Sequence, residues 1–157
     1  MNVRVGAPAD TPEIVRVINA AYRVEDFFID GDRTSAEDVT ARMQAPGACF
    51  LVIESEVRAT LAASVWLETV GERGHFAMLS VDPPHQGTGL AKRLIEEVED
   101  YCRDAGCSAL DIEVVNLREE LPPLYEAFGF SKTGLGSFSD TGQLKRPAHL
   151  ILMSKPV

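Results

Sequence analysis

The sequence contains few cysteines and histidines. Its three cysteines, Cys49, Cys102 and Cys107, form an odd set without the spacing of metal ligands. Such a set is typical of reduced thiols that pack in or near a core, so we expect a cytoplasmic protein without disulfides. The three histidines, at positions 75, 85 and 149, are scattered along the chain. We therefore expect no structural zinc and no other metal.

Long apolar runs and an excess of positive charge are also missing. No run of about 18 apolar residues occurs, so we expect no transmembrane helix. The first ten residues lack the basic and then apolar order of a secretory signal. With 24 acidic and 15 basic residues the formal net charge is −9. This charge argues against nucleic acid or an anionic membrane as a partner.

The composition is that of a folded domain. Hydrophobic residues make up 45% of the chain and charged residues 25%, enough to bury a core. The length of 157 residues suits one domain, which we expect to span residues 1–157.

The hydrophobic patterns predict a strand, two helices, three strands, a helix, a strand, a helix and two strands. The first helix has Asp10 or Thr11 as its candidate cap, and the second has Ser35. A hairpin with a tight connection at Glu56 and Val57 is expected next. Residues 75–81 are apolar on both faces, as in a strand that is covered on both sides.

The order of these elements predicts the fold class. Residues 75–115 form a strand–helix–strand unit, which favours a right-handed crossover between parallel neighbours. The hairpins favour antiparallel pairing elsewhere. An α/β (α+β) fold follows, with a mixed sheet and helices on its faces.

A glycine-rich segment, HQGTGLAKR at residues 85–93, precedes the long predicted helix. The start of a helix presents unpaired N–H groups to a phosphate, and glycines allow its close approach. The segment does not fit a Walker loop, because only one residue separates Gly87 from Gly89. It fits a dinucleotide fingerprint poorly, because Lys92 stands where a third small residue belongs. The glycines alone fit a phosphate cradle and a plain turn equally well.

Further residues give this segment a resemblance to a known family. Residues 86–91 have the form Gln/Arg-x-x-Gly-x-Gly/Ala and follow MLSVDP at residues 78–83. Together they resemble the coenzyme A loop of the GNAT superfamily of N-acetyltransferases. LYEAFGF at residues 124–130 resembles its second signature, and Asn116 stands where many members have an asparagine. The resemblance covers nearly the whole chain. It implies a mixed, mostly antiparallel central sheet of about seven strands, with helices on both faces and a splayed parallel strand pair.

The resemblance also implies an activity and its residues. The expected reaction is transfer of an acetyl group from acetyl-CoA, the cosubstrate, to an amine by direct attack in a ternary complex. An N–H near Leu79 would polarise the thioester carbonyl. Tyr125 would protonate the departing CoA thiolate or hydrogen-bond its sulfur. The cofactor-binding residues that the resemblance implies are Leu79, Ser80, Val81, Gln86, Gly87, Thr88, Gly89, Leu90, Ala91 and Asn116.

An attacking amine must lose a proton, so the site needs a base or a water that acts through one. Glu113 is the candidate we assign, because it shares a strand face with Asp111, although that pair equally fits a solvated edge. Glu68, Asp82 and His75 are alternatives.

The acceptor site is expected between residues 22–34 and residues 137–149. Its candidate aromatic wall comprises Tyr22, Phe27, Phe28 and Trp66. The acidic residues Glu25, Asp26, Asp30 and Asp32 would attract an amine, whereas Arg33 would bind a carboxylate.

Several questions stay open at this level. The acceptor is a small molecule or a protein amine, and a homodimer is an open alternative because many relatives dimerise. A catalytically inactive acyl-CoA-binding or sensing module, or an O-acyl or other acyltransferase on the same fold, is the alternative function.

Overall fold

One mixed sheet organises the computed structural model, which describes residues 1–139 and 141–157. Within these residues the sheet has seven strands in the order β1-β2-β3-β4-β5-β7-β6. Only β4 and β5 pair in parallel; the other neighbours are antiparallel. This confirms the predicted mixed, mostly antiparallel sheet. The strands are β1 (Val3–Val5), β2 (Ala48–Glu54), β3 (Leu61–Val70), β4 (Arg73–Val81), β5 (Ala109–Val115), β6 (Ser131–Ser137) and β7 (His149–Pro156).

The helices are α1 (Thr11–Ala21), α2 (Ala36–Gln44), α3 (Leu90–Asp104) and α4 (Leu121–Ala127). Ser35 caps α2 as predicted, since its hydroxyl accepts the Asp38 N–H at 3.1 Å. Asp10 occupies the cap position of α1, as predicted, but its side chain makes no cap bond. Its carboxylate instead binds Arg4 at 2.8 Å and the Ala7 N–H at 2.7 Å.

The sheet has an apolar core on each face. The apolar stripes of α1 and α2 pack against one face, and those of α3 and α4 pack against the other. Burial of such a side chain stabilises the fold by roughly 1.5–3 kcal/mol. The buried helical residues on the first face are Ile14, Val17, Ile18 and Val39, and on the second Leu94, Ile95, Val98, Cys102 and Tyr125.

The connection between β2 and β3 is longer than predicted. It runs through residues 55–60 and is closed by the Ser55 N–H to the Thr60 carbonyl at 3.0 Å. A two-residue turn at Glu56 and Val57 would need positive φ, which these residues adopt poorly. The chain instead places its positive φ at Ala59.

The strand β4 also differs from its prediction. From residue 74 to residue 81 it alternates between buried and half-buried positions, so it is not covered equally on both faces. Phe76, Met78 and Ser80 are buried, whereas His75, Ala77 and Leu79 are half-buried. The half-buried face borders an open cavity, which explains the difference.

A bulge in β4 makes the parallel pair diverge. Met78 and Leu79 together lie opposite Val65, and Met78 has a φ of 58°. Such a bulge bends its strand. The ladder between β4 and β5 ends at the pair His75 and Asp111, after only three residue pairs. The splayed parallel pair is therefore confirmed, and it leaves a gap between the carboxyl ends of the two strands.

Among the described residues, no helix combines the length and the apolar character that crossing a bilayer requires.

Candidate active site

The gap between β4 and β5 leads into two cavities. The larger, which we call the loop cavity, has a volume of about 490 Å³. The smaller, which we call the sheet cavity, has a volume of about 220 Å³. Four residues line both cavities, so the two spaces meet there: Tyr22, Leu79, Leu121 and Tyr125.

The glycine segment forms one end of the loop cavity. Gly87 and Gly89 have φ values of 78° and 85°, in the left-handed region that favours glycine. A Cβ on either would meet no atom within 4 Å, so backbone conformation, not crowding, requires these glycines. Gly89 directly precedes α3 and provides no side-chain cap. The first-turn N–H groups of α3, at Leu90 and Ala91, are therefore available beside the cavity.

Internal hydrogen bonds hold the shape of this segment. Gln86 Nε2 donates to the Val81 carbonyl at 3.2 Å, and the Thr88 hydroxyl donates to the His85 carbonyl at 2.5 Å. Gln86 and Val81 line the loop cavity, whereas Thr88 does not.

Two other predicted cofactor residues line neither cavity. Ser80 is 1% exposed, and its hydroxyl donates to the Met78 carbonyl at 3.0 Å. Asn116 follows β5, where its Oδ1 accepts the His149 N–H at 2.8 Å. The structure thus brings the glycine segment, Leu79 and Val81 together but gives the side chains of Ser80 and Asn116 structural partners.

Tyr125 lies on α4 at the junction of the cavities. Its side chain is 8% exposed and packs against Phe76 and Phe130, with ring centroids 6.1 and 5.8 Å away. Burial, with a smaller contribution from Tyr22, raises the pKa of the Tyr125 hydroxyl well above its usual range. The hydroxyl is therefore protonated at neutral pH and can donate a hydrogen bond at the junction.

Three of the four predicted base candidates form one cluster. His75 Nδ1 lies 3.4 Å from Glu68 Oε1, and His75 Nε2 lies 3.5 Å from Glu113 Oε1. His75 and Glu113 line the sheet cavity. The fourth candidate, Asp82, lines neither cavity and binds Arg16 at 3.1 Å.

The structure also separates the two carboxylates that share a face of β5. Arg73 binds Asp111 through two hydrogen bonds of 2.8 and 2.6 Å. This contact holds the pKa of Asp111 below its usual range. Asp111 therefore has a structural partner, whereas Glu113 faces the cavity beside His75.

The predicted acceptor wall is only partly present. Tyr22, Glu25 and Arg33 line the sheet cavity. Phe28 is fully buried, and Trp66 is 6% exposed with its Nε1 donating to the Arg42 carbonyl at 3.0 Å. The remaining predicted residues lie outside this lining, namely Phe27, Asp26, Asp30 and Asp32.

The two loops expected to form the wall do meet. Ile29 and Leu144 form an isolated bridge, and the Lys145 N–H donates to the Phe28 carbonyl at 2.8 Å. The predicted segment 137–149 includes Asp140, which lies outside the described residues.

Sequence reasoning did not single out several lining residues, among them Arg42 in the sheet cavity, Arg118 in the loop cavity and Leu121 in both. These residues carry no local motif. Arg118 binds the buried Glu25 at 3.0 Å, and burial raises the pKa of that carboxyl. Arg118 and Glu25 are 93 residues apart in the sequence, so the local sequence around either one does not reveal the pair.

The splayed parallel strands and the glycine-rich start of α3 are features that the resemblance to the N-acetyltransferases implied. The chain belongs to the Acetyltransferase (GNAT) family, whose profile matches residues 14–130. The resemblance seen in the sequence is thereby confirmed, and the curated relatives that match the chain are named N-acetyltransferases or acetyltransferases.

Individual relatives agree with this assignment. Human N-acetyltransferase 8B is 37% identical over 111 residues, covering 68% of this chain and 49% of the relative. The chain thus spans about half the length of that protein. Streptothricin acetyltransferase of Streptomyces lavendulae is 26% identical over 149 residues, covering 95% of this chain and 73% of the relative.

A solved structure shows the same fold. The ribosomal-protein-S18-alanine N-acetyltransferase from Escherichia coli superposes with a TM-score of 0.80 at 19% identity. The match covers 99% of this chain and 93% of that one.

Proposed function

We propose that the chain transfers the acetyl group of acetyl-CoA to the amine of a small molecule, by direct attack in a ternary complex. The observation that carries this proposal is the meeting of the loop cavity and the sheet cavity at Tyr125. One cavity offers backbone donors at a helix start, and the other offers a carboxylate–imidazole cluster.

The loop cavity suits acetyl-CoA. The free first-turn amides of α3 and the backbone of residues 86–91 would bind its pyrophosphate. After His75 the described part of β4 has no ladder to β5, so backbone groups of Leu79, Ser80 and Val81 could pair with an extended pantetheine arm. Asn116 would contact the arm only by leaving its bond to His149.

The sheet cavity suits the amine and its deprotonation. Glu113 would accept the amine proton, directly or through water, with His75 as its neighbour. The amine nitrogen would then form a bond to the thioester carbon while the Leu79 region polarises the carbonyl oxygen.

Collapse of the resulting adduct would break the bond between carbon and sulfur. The electron pair would remain on sulfur, and Tyr125 would donate a hydrogen bond to that thiolate. The proton that Glu113 takes from the amine would pass to solvent, and CoA would take up a proton from solvent as it leaves. Because the raised pKa of Tyr125 opposes full proton loss, hydrogen bonding to sulfur is its main contribution. The products are the N-acetyl compound and CoA.

Two observations favour a small acceptor over a protein amine. The sheet cavity, at about 220 Å³, is below the usual range of ligand pockets. In addition, the chain is 26% identical over 95% of its length to streptothricin acetyltransferase, whose name gives streptothricin as its acceptor.

The test measures CoA release from acetyl-CoA across a panel of small amines and N-terminal peptides, with CoA binding followed by calorimetry. We expect release with at least one small amine. Binding of CoA without release for any acceptor would favour the inactive acyl-CoA-binding module. Release only with alcohols would favour the O-acyltransferase.

A further inference from the structure

Two of the charges that line the sheet cavity have a partner outside it. Glu25 lines the cavity, and its carboxylate binds Arg118 at 3.0 Å. Arg42 also lines the cavity, and its Nε lies 3.3 Å from the Asp38 carboxylate. Neither Arg118 nor Asp38 belongs to the cavity lining. These two lining charges are therefore largely neutralised before any ligand binds.

Arg33 is different, because no carboxylate of the described residues lies within ion-pair distance of its guanidinium. Its charge acts on the Glu25 carboxyl, but that carboxylate is bound by Arg118. The side chain is exposed, lines the sheet cavity and lies over the Tyr22 ring, 5.2 Å from its centroid. Tyr22 is one of the residues shared by both cavities. Stacking therefore holds a free cation beside the junction.

A second uncompensated charge has the opposite sign. The His75 ring lies within 3.5 Å of both Glu68 and Glu113. One imidazole cannot neutralise two carboxylates, so this cluster keeps a net negative charge. Its members lie on the sheet, whereas Arg33 lies in the loop between α1 and α2.

The lining that remains is mainly apolar. Aliphatic and aromatic side chains from β4, β5, β7 and the segment after β6 contribute to it: Phe76, Ile112, Val114, Phe138 and Leu150. The cavity thus combines an apolar lining with one free cation and one negative cluster, which is the complement of a compact zwitterion.

We infer that the acceptor is an amino-acid-like zwitterion, whose carboxylate is bound by Arg33 and whose amine faces Glu113 and His75. The planar guanidinium fork matches a carboxylate in a bidentate geometry. The inference rests on the proposed function and deepens it by naming the class of acceptor.

The test measures binding to the CoA-saturated chain by calorimetry. The probes are alanine, valine, leucine and phenylalanine, each with its amide and its decarboxylated amine. We expect at least one acid to bind roughly 10- to 100-fold more tightly than its amide and amine. Arg33→Gln should remove this preference and leave binding of the amide unchanged. Arg33→Lys should restore only part of it, because lysine lacks the fork.

Arg58→Gln, which removes the same charge from the exposed loop between β2 and β3, is the matched control and should bind as the wild type does. Equal binding of acids and amides, or equal losses for both in Arg33→Gln, would overturn the inference. Acid-selective binding through Arg33 without acetylation of any amine would support the inference and contradict the proposed function.

Discussion

At the scale of single residues, environment separates side chains that look alike in the sequence. Asp111 and Glu113 share a strand face, but only Asp111 has an arginine partner. Tyr125 is buried between the cavities, whereas Tyr101 is partly exposed on α3. The sequence could nominate Tyr125 and Glu113 by motif and alternation. It could not reveal the cluster of His75 with Glu68, which depends on strand register.

Tyr125→Phe should lower kcat roughly 100-fold and leave the Kd for CoA nearly unchanged, because only the hydroxyl at the junction is lost. Its raised pKa also predicts that the phenol stays protonated up to pH 10, so wild-type activity should show no alkaline loss from Tyr125 below that pH. Steady-state kinetics and CoA calorimetry from pH 6 to pH 10 check both points. An unchanged kcat would exclude Tyr125 as the donor to sulfur.

Glu113→Gln should lower kcat about 100-fold or more, since the amide cannot accept the amine proton. Asp111→Asn is the matched control, with the same change two residues away, and should keep kcat. Equal losses of kcat in both variants would contradict the assignment of Glu113.

Asp111→Asn should instead reduce stability in a pH-dependent way. In the wild type the pKa of Asp111 is lower in the folded state than in the unfolded chain. The ionised carboxylate therefore stabilises the fold above the ordinary pKa of about 3.9, and this contribution disappears as pH falls through the pKa of the folded state. Urea unfolding at pH 7 and pH 3 should show a difference from wild type that shrinks at the lower pH. A constant difference would mean that the ion pair with Arg73 is not its cause.

At the scale of elements, the glycine segment and the β4 bulge place the site. The start of α3 could be predicted from two glycines before an apolar stripe. The bulge in β4 could not be predicted, because a methionine does not favour a φ of 58°. The pairing of β4 with its neighbours in the sheet imposes that φ on Met78.

Gly89→Ala should weaken acetyl-CoA binding, because an alanine at a φ of 85° strains the start of α3. We expect a several-fold higher KM for acetyl-CoA and a loss of roughly 1–2 kcal/mol in the free energy of unfolding. Gly71→Ala is the control, since Gly71 has a φ of 59° in the turn between β3 and β4 and also has open space around it. It should lose similar stability with an unchanged KM. A raised KM in both variants would indicate a general effect of stability.

The packing of α3 on β4 depends on Gly74. A Cβ there would overlap the Cys102 Sγ, and it would lie 3.4 Å from Leu110 Cδ1. Gly74→Ala should therefore cost roughly 1–3 kcal/mol of unfolding free energy. Adding Cys102→Ala should recover part of that loss in a double-mutant cycle measured by urea unfolding. Strictly additive losses would show that the two residues are not coupled.

At the scale of the whole molecule, the order of elements followed from local periodicity, and the sheet class followed from that order. The candidate site assembles residues from the sheet, the helices and loops that are far apart in the sequence. Arg42, Arg118 and Leu121 reach the cavities only through this assembly, so no local pattern marked them. The residues of the glycine segment and of LYEAFGF could be named from the sequence because each set lies in one contiguous motif.

The central claim is that acetyl-CoA lies in the loop cavity with its sulfur at the junction with the sheet cavity. A crystal structure of the chain with CoA tests this most directly. The account predicts the pyrophosphate against the backbone of residues 87–91 and the sulfur among Tyr22, Leu79, Leu121 and Tyr125. A CoA bound elsewhere, or with its sulfur remote from Tyr125, would contradict it.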